Sequence, residues 1–220
     1  MAEPVPKTVF ITGATGYLGR ALIPALLARG HRVRALTREA SAGRVPRGAE
    51  PVIGDALEAT TFATQIAPAD TLVHLVGTPH PGPGKAAQFR AVDLRSIEAA
   101  VEAAKLVGVR HFIYLSVAQP APVMQAYIDV RAQGEAMVRA SGMAATILRP
   151  WYVLGPGHRW PILLAPLYAL ARLSPATRET ADRLGLVRLD EMVAALVAAI
   201  EEVPEGVRML GVEAIRAIRS

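Results

Sequence analysis

Three glycines at three-residue intervals, Gly13, Gly16 and Gly19, follow the apolar run Val9-Phe10-Ile11-Thr12 and open a helical pattern. A backbone of this shape can bind a dinucleotide pyrophosphate. Gly13 would permit a tight bend, Gly16 would let the backbone come close to a phosphate, and Gly19 would let the following helix pack closely on the strand. That helix is expected over about Tyr17 to Ala28, with Leu18, Leu22, Leu26 and Leu27 on its apolar face and Gly30 closing it. Its free amides and positive dipole end would point at the pyrophosphate, beside Thr15 of the loop. Taken alone, the pattern is also that of an ordinary glycine-rich turn. A second strand, His31 to Thr37, arrives at the spacing of a βαβ unit and supplies the context that the motif requires.

The elements that must position such a loop can be followed along the chain. After the second strand come a charged connection, Arg38 to Gly48, a short strand at Glu50 to Ile53, and Asp55 at its end. Ala56 to Ile66 reads as a helix and Thr71 to Val76 as a central strand ending at Gly77. Prolines alternate with glycines from Thr78 to Lys85, which predicts an irregular loop. A long helix is expected from Ala86 to Val107, a strand from His111 to Val117, a helix from Met124 to Ala140 and a sixth strand from Ala144 to Leu148 before Pro150. This alternation predicts an α/β fold, a doubly wound, mostly parallel sheet with helices on both faces. Ligands bind such sheets at the carboxyl ends of the strands.

Composition narrows the function classes. At 220 residues, 52% hydrophobic and 20% charged, the chain suits one compact domain spanning residues 1–220, with 151–183 as a small substrate cap. The absence of cysteine excludes disulfides, thiol chemistry and cysteine-held metals. His74, His80, His111 and His158 are far apart and lack paired carboxylates, so no metal is expected, and His74 should pack within its strand. The net charge of +5 is scattered and aromatics make up 5%, which argues against a nucleic-acid partner. Trp160 to Ala171 is too short to span a bilayer and contains Pro161 and Pro166. No secretory pattern opens the chain, so a cytoplasmic location is expected.

These residues resemble the short-chain dehydrogenase/reductase superfamily, in its atypical NAD(P)H-binding branch related to extended epimerases and dehydratases. The resemblance runs from about residue 7 to 200. It rests on Thr12-Gly-Ala-Thr-Gly-Tyr-Leu-Gly19, Ala35-Leu-Thr-Arg38, Gly54-Asp55, Phe112-Ile-Tyr-Leu-Ser116, Tyr127 with Arg131, and Leu148-Arg-Pro-Trp-Tyr-Val153. The resemblance implies that Asp55 contacts the adenine amino group with Ala56 beside it, although Asp55 can equally be a helix N-cap. It further implies that Val76 and Gly77 lie against the adenosine ribose, and Pro150 to Val153 near the nicotinamide.

An NAD site usually places an acidic side chain after the second strand, whereas an NADP site needs a cation for the 2′-phosphate. Here Thr37-Arg38 occupies that place, and the guanidinium favours NADP, with Arg20 or Arg44 as helpers. A surface arginine beside Glu39 is the competing reading.

In members of the superfamily that transfer hydride, a serine orients the substrate oxygen, a tyrosine exchanges its proton, and a lysine four residues on binds the ribose and lowers the tyrosine pKa. The matching positions are Ser116, Tyr127 and Arg131. The arginine shares a helical face with Tyr127 and can favour the phenolate, but cannot join a proton relay. The segment from Ser116 to Tyr127, with Pro120 and Pro122, is short for a typical member. Tyr127 as a helix-start aromatic and Arg131 as a solvated cation therefore stand as an equal alternative.

Gly155 to Pro161, followed by an apolar helix around Ile162 to Leu173, would cap the site, with Trp151, Tyr152, His158, Arg159 and Trp160 lining a pocket. Trp160 fits better as a staple between cap and core. Leu189 to Ile200 reads as a further helix and Val207 to Val212 as a last strand. The expected function is an NAD(P)-dependent oxidoreductase acting on a small carbonyl, alcohol or enone. A non-catalytic NADPH-binding sensor or assembly protein and an epimerase or dehydratase are the alternatives. Monomer and dimer remain open.

Overall fold

The computed structural model describes residues 5–157, 171 and 173–218. Seven strands form one wholly parallel sheet: β1 (Thr8–Thr12), β2 (Arg32–Thr37), β3 (Glu50–Ile53), β4 (Thr71–His74), β5 (His111–Leu115), β6 (Ala144–Leu148) and β9 (Val207–Leu210). Their order in space is β3-β2-β1-β4-β5-β6-β9, so the winding reverses between β1 and β4. That reversal opens a crevice at the carboxyl edge. Two further strands, β7 (Tyr152–Leu154) and β8 (Leu186–Arg188), pair in parallel as a separate ribbon.

Side chains alternate across each strand, and the two faces build different cores. From β1, Val9 and Ile11 face α1 (Tyr17–Ala28), α5 (Leu189–Glu201) and α6 (Val212–Ala217), where Leu22, Leu26, Met192, Leu196 and Ile215 are buried. Phe10 faces the opposite layer, made by α2 (Arg95–Val107) and α3 (Gln125–Ala140), with Phe62, Ile97, Ala100 and Val138. Gly30, at φ +80°, ends α1, and Gly108, at φ +69°, ends α2, each in the left-handed region that favours glycine.

One expected helix is corrected. Ala56 to Ile66 forms two 3₁₀ turns, Ala59–Thr61 and Ala63–Gln65, in place of an α-helix. The Thr61 hydroxyl accepts from the Asp55 N–H at 2.9 Å and donates to the backbone, 2.8 Å from the Glu58 carbonyl and 3.1 Å from that of Asp55. These local bonds compete with a helical ladder. The long helix expected from Ala86 is also modulated: a short turn, Ala86–Gln88, and a π-helical segment, Phe89–Leu94, precede α2. A helix α4 (Pro175–Arg183) and the β7–β8 ribbon had no counterpart in the sequence pattern. The expected apolar helix at Ile162 to Leu173, and with it His158, Arg159 and Trp160, falls almost entirely outside the described residues. Among the described residues, no helix is long and apolar enough to cross a membrane.

Candidate functional site

The glycine loop is held by sterics that admit no side chain. Gly13 has φ +76°, and a Cβ there would stand 2.8 Å from the Leu75 carbonyl carbon and 2.9 Å from the Val76 nitrogen. The loop therefore packs directly on the chain that follows β4. Gly16 is the N-cap of α1, donates to the Gly13 carbonyl at 3.0 Å and accepts from Arg20 N–H at 3.1 Å. A Cβ on Gly19 would come within 2.6 Å of the Gly13 carbonyl oxygen and 2.5 Å of that of Ala14, so the first turn of the helix can seat against the loop only without one.

A cleft of about 370 Å³ opens at the carboxyl edge beside this loop. Gly13 and Thr15 line it from the loop, Thr37 and Arg38 from the end of β2, Asp55 and Ala56 from beyond β3, and Val76 and Gly77 from beyond β4. The remaining cofactor candidates do not line it. Leu18 and Val153 pack on the α1–α5 core, the Pro150 carbonyl accepts from Ala118 N–H at 2.9 Å, and Tyr17 lies where a Cβ on Gly155 would fall.

Local bonds shape each wall. The Asp55 carboxylate accepts from Leu57 N–H at 2.9 Å, so it caps a turn where an N-cap was one of its two readings. Arg38 is exposed, and its guanidinium makes no hydrogen bond or ion pair with a described residue. Ser41 faces the same cleft, and its N–H donates to the Arg38 carbonyl at 2.8 Å. Ser41, Pro79 and Val92 were missed in the sequence. Only Ser41 carried a signal, a hydroxyl three residues beyond Arg38.

The residues of this cleft fit a dinucleotide. A glycine cradle whose spaces a Cβ would fill, helix amides at its rim, a carboxylate beyond β3 and a cation beyond β2 that is unpaired among the described residues match the phosphates, base and ribose of such a ligand.

Beyond β5 the side chains turn inward. The Ser116 hydroxyl donates to Glu135 Oε1 at 2.6 Å, and Glu135 also accepts from Gln119 at 2.9 Å, Arg149 Nε at 2.7 Å and Arg139 at 2.9 Å. Burial pushes the Glu135 carboxyl up, yet the bonds from Arg149, Ser116 and Arg139 outweigh it and hold the group below the usual carboxylate range.

Tyr127 and Arg131 do share a face of α3, with the Arg131 Cζ 5.1 Å from the Tyr127 ring centroid. Phe89 packs on the same ring at 4.9 Å. Tyr127 and Trp151 cover a small apolar cluster of Val117, Ala118, Ala121, Ile128 and Leu184.

Arg131 is buried rather than solvated. Its Nη2 lies 2.6 Å from Asp93 Oδ1 and its Nη1 donates to the Leu115 carbonyl at 3.0 Å. Burial works against the charge, but Tyr127, Tyr114 and Asp93 more than offset it and raise the pKa above the ordinary guanidinium value.

His74 packs within its strand as expected. Its Nδ1 is 2.8 Å from Thr12 Oγ1 and its Nε2 is 3.3 Å from Ser96 Oγ. Burial, with Arg131 adding to it, lowers its pKa to about 3, so the ring is neutral at physiological pH. Among the described residues no three His, Asp or Glu side chains are grouped to hold a metal.

Known proteins place this geometry. The family model described as NAD(P)H-binding matches residues 13–159. The chain is 32% identical over 200 residues to a ceramide reductase of Caulobacter vibrioides, covering 90% of this chain and 62% of that protein. It is 31% identical over 228 residues to a 3-diazoavenalumate denitrifying reductase of a Streptomyces species, covering 90% and 73%. Among solved structures, the Bordetella bronchiseptica enzyme WbmH in complex with NAD+ matches with a TM-score of 0.70 at 22% identity, covering 94% of this chain and 76% of that one. The chain thus spans less than two thirds of the ceramide reductase. Its glycine loop, its sheet order and these matches agree: the chain belongs to the NAD(P)H-binding family.

Proposed function

We propose that the chain is an NADPH-dependent oxidoreductase of the cytoplasm that reduces a carbonyl or enone with an apolar body, or oxidises the corresponding alcohol. The observation that carries this reading is the cleft in which the glycine loop, Asp55 and the exposed Arg38 converge. Gly13, Thr15 and Gly16 would receive the phosphates, Asp55 and Ala56 the adenine, and Val76 and Gly77 the ribose. Arg38, with Ser41, would bind the 2′-phosphate and favour NADP over NAD. Pro150 and Val153 would border the nicotinamide. A bound nicotinamide supplies or accepts the hydride.

Tyr127 is the proton donor in this reading. The Arg131 guanidinium, 5.1 Å from the ring centroid, holds that ring in place on α3, from which its hydroxyl would pass a proton to a substrate oxygen. Ser116 would orient that oxygen when its hydroxyl leaves Glu135. The aliphatic and aromatic surroundings of Tyr127, including Phe89, Ile128 and Trp151, suit an apolar substrate. Residues 151–183 would form the cap of a single domain. The reductase names of the two relatives support the reaction class.

The test is an NADPH and NADH titration, followed by dinucleotide oxidation with a panel of aryl and long-chain aldehydes, ketones and enones. Tyr127→Phe is expected to lower turnover about 100-fold at unchanged NADPH affinity. Equal turnover by wild type and Tyr127→Phe would overturn the tyrosine mechanism.

A second reading, a non-catalytic NADPH sensor, is favoured by one observation. Both Ser116 and Arg131 already have buried acidic partners. NADPH binding without reduction of any compound in the panel would support that reading over the first.

A further inference from the structure

Asp93 belongs to no predicted site, yet three consecutive residues depend on it: Val76 and Gly77, which line the cleft, and the buried Thr78 that follows them. It lies in the π-helical segment one residue after Val92, which lines the cleft, and its carboxylate is fully buried. It accepts from Thr78 N–H at 3.1 and 3.2 Å and from the Thr78 hydroxyl at 2.5 Å. Its other partner is Arg131 Nη2 at 2.6 Å, and that same nitrogen reaches the Val76 carbonyl at 3.4 Å. Between those two anchors lies Gly77, where a Cβ would overlap the Arg131 guanidinium and stand 3.2 Å from Asp93 Oδ1. The ion pair therefore fills the space behind Gly77 and ties down the residue on each side of it.

The donors of Arg131 explain why a pair is needed. One nitrogen serves Leu115 at the end of β5, another serves Val76 beyond β4, and the planar fork joins the two strand ends through one rigid group. Left alone, that buried cation would be strongly unfavourable, and Asp93 compensates it. A π-helical turn shifts the helical register locally, and such turns are frequent at functional sites. Here it gives the cleft a wall residue and a clamp in adjacent positions.

We propose that Asp93, acting through Arg131 and Thr78, is the positioning residue that sets the 76–78 wall of the dinucleotide cleft. Arg131 is then a brace of that wall rather than a ribose ligand, which accounts for an arginine where the superfamily pattern has lysine. The proposal rests on the reading of the cleft as a dinucleotide site. It assigns to Asp93 an effect on the part shared by NADPH and NADH, and none on the choice between them.

Calorimetric titration of NADPH and NADH into wild type, Asp93→Asn and Thr78→Val separates the possibilities, because it reads stoichiometry and Kd independently. A misplaced wall raises Kd at full stoichiometry, whereas a merely less stable protein lowers the binding fraction and leaves Kd unchanged. The expected result is a Kd raised about tenfold in Asp93→Asn and about threefold in Thr78→Val. Both dinucleotides should be affected equally. If Asp93→Asn does not fold, Thr78→Val decides alone, since it leaves the ion pair intact. An unchanged Kd, or one raised for NADPH only, overturns the proposal while the dinucleotide reading stands. A wild type that binds neither dinucleotide overturns both.

Discussion

The two halves of the carboxyl edge are built in opposite ways. On the side of β1, β2 and β3 the cleft is made of backbone, with bare glycines, capped turns and a cation, Arg38, left unpaired among the described residues. On the side of β5 and β6 it is made of buried charge, with Ser116 and Arg149 on Glu135, and Arg131 on Asp93. The first half is shaped to receive an anion, because its Arg38 guanidinium has no acceptor among the described residues. The second half pairs its charged groups internally, so its rigidity comes from ion pairs and its surface is left to apolar side chains.

The largest break in this comparison should come from Gly13→Val. A branched side chain at φ +76° has no room against Leu75 and Val76, so more than about 3 kcal/mol of stability and all measurable dinucleotide binding should be lost. Arg149→Met tests the other half. It removes two donors from the buried Glu135 carboxylate and should cost about 3 kcal/mol in denaturant unfolding while leaving dinucleotide affinity within twofold, roughly the scatter of such titrations.

Acidification acts on the sheet that both halves share. The pKa of His74 is about 3 and that of His111 about 4, both lowered first by burial, whereas an unfolded histidine titrates near about 6.5. Because the unfolded chain binds more protons over that range, stability is full above about pH 6.5 and falls as the pH drops toward 4. Urea melts at pH 7 and pH 5 should differ by about 2 to 4 kcal/mol. The depressed Glu135 carboxyl adds to the loss, with the same sign, at lower pH.

The smallest effect is the most specific. Arg38→Ser should weaken NADPH about tenfold, leave NADH unchanged and leave the melting temperature unmoved, since no described residue depends on that guanidinium.

The same contrast governs what could be read beforehand. The glycine loop and the seven strands of the sheet were legible because each depends on residues close in sequence, with a period or a turn that local sterics impose. Ser116, Tyr127 and Arg131 could be named from family resemblance, but not their partners. Asp93 lies 38 positions from Arg131, and Glu135 lies 19 from Ser116, separations at which no periodicity links two residues. The helix expected after Asp55 failed for a local reason that propensity underweights, a threonine hydroxyl bonded to the backbone of its own turn. The ribbon of β7 and β8 escaped because three-residue strands carry no alternation long enough to read.

That ribbon has an evolutionary consequence. Parallel pairing of Tyr152 with Leu186 and of Leu154 with Arg188 fixes the points at which the intervening chain departs and rejoins, within about 10 Å of each other along the strand direction. The stretch between them can thus change in a descendant wherever Ala181 and Leu184 keep their buried places, while the glycine loop and its sheet are inherited untouched.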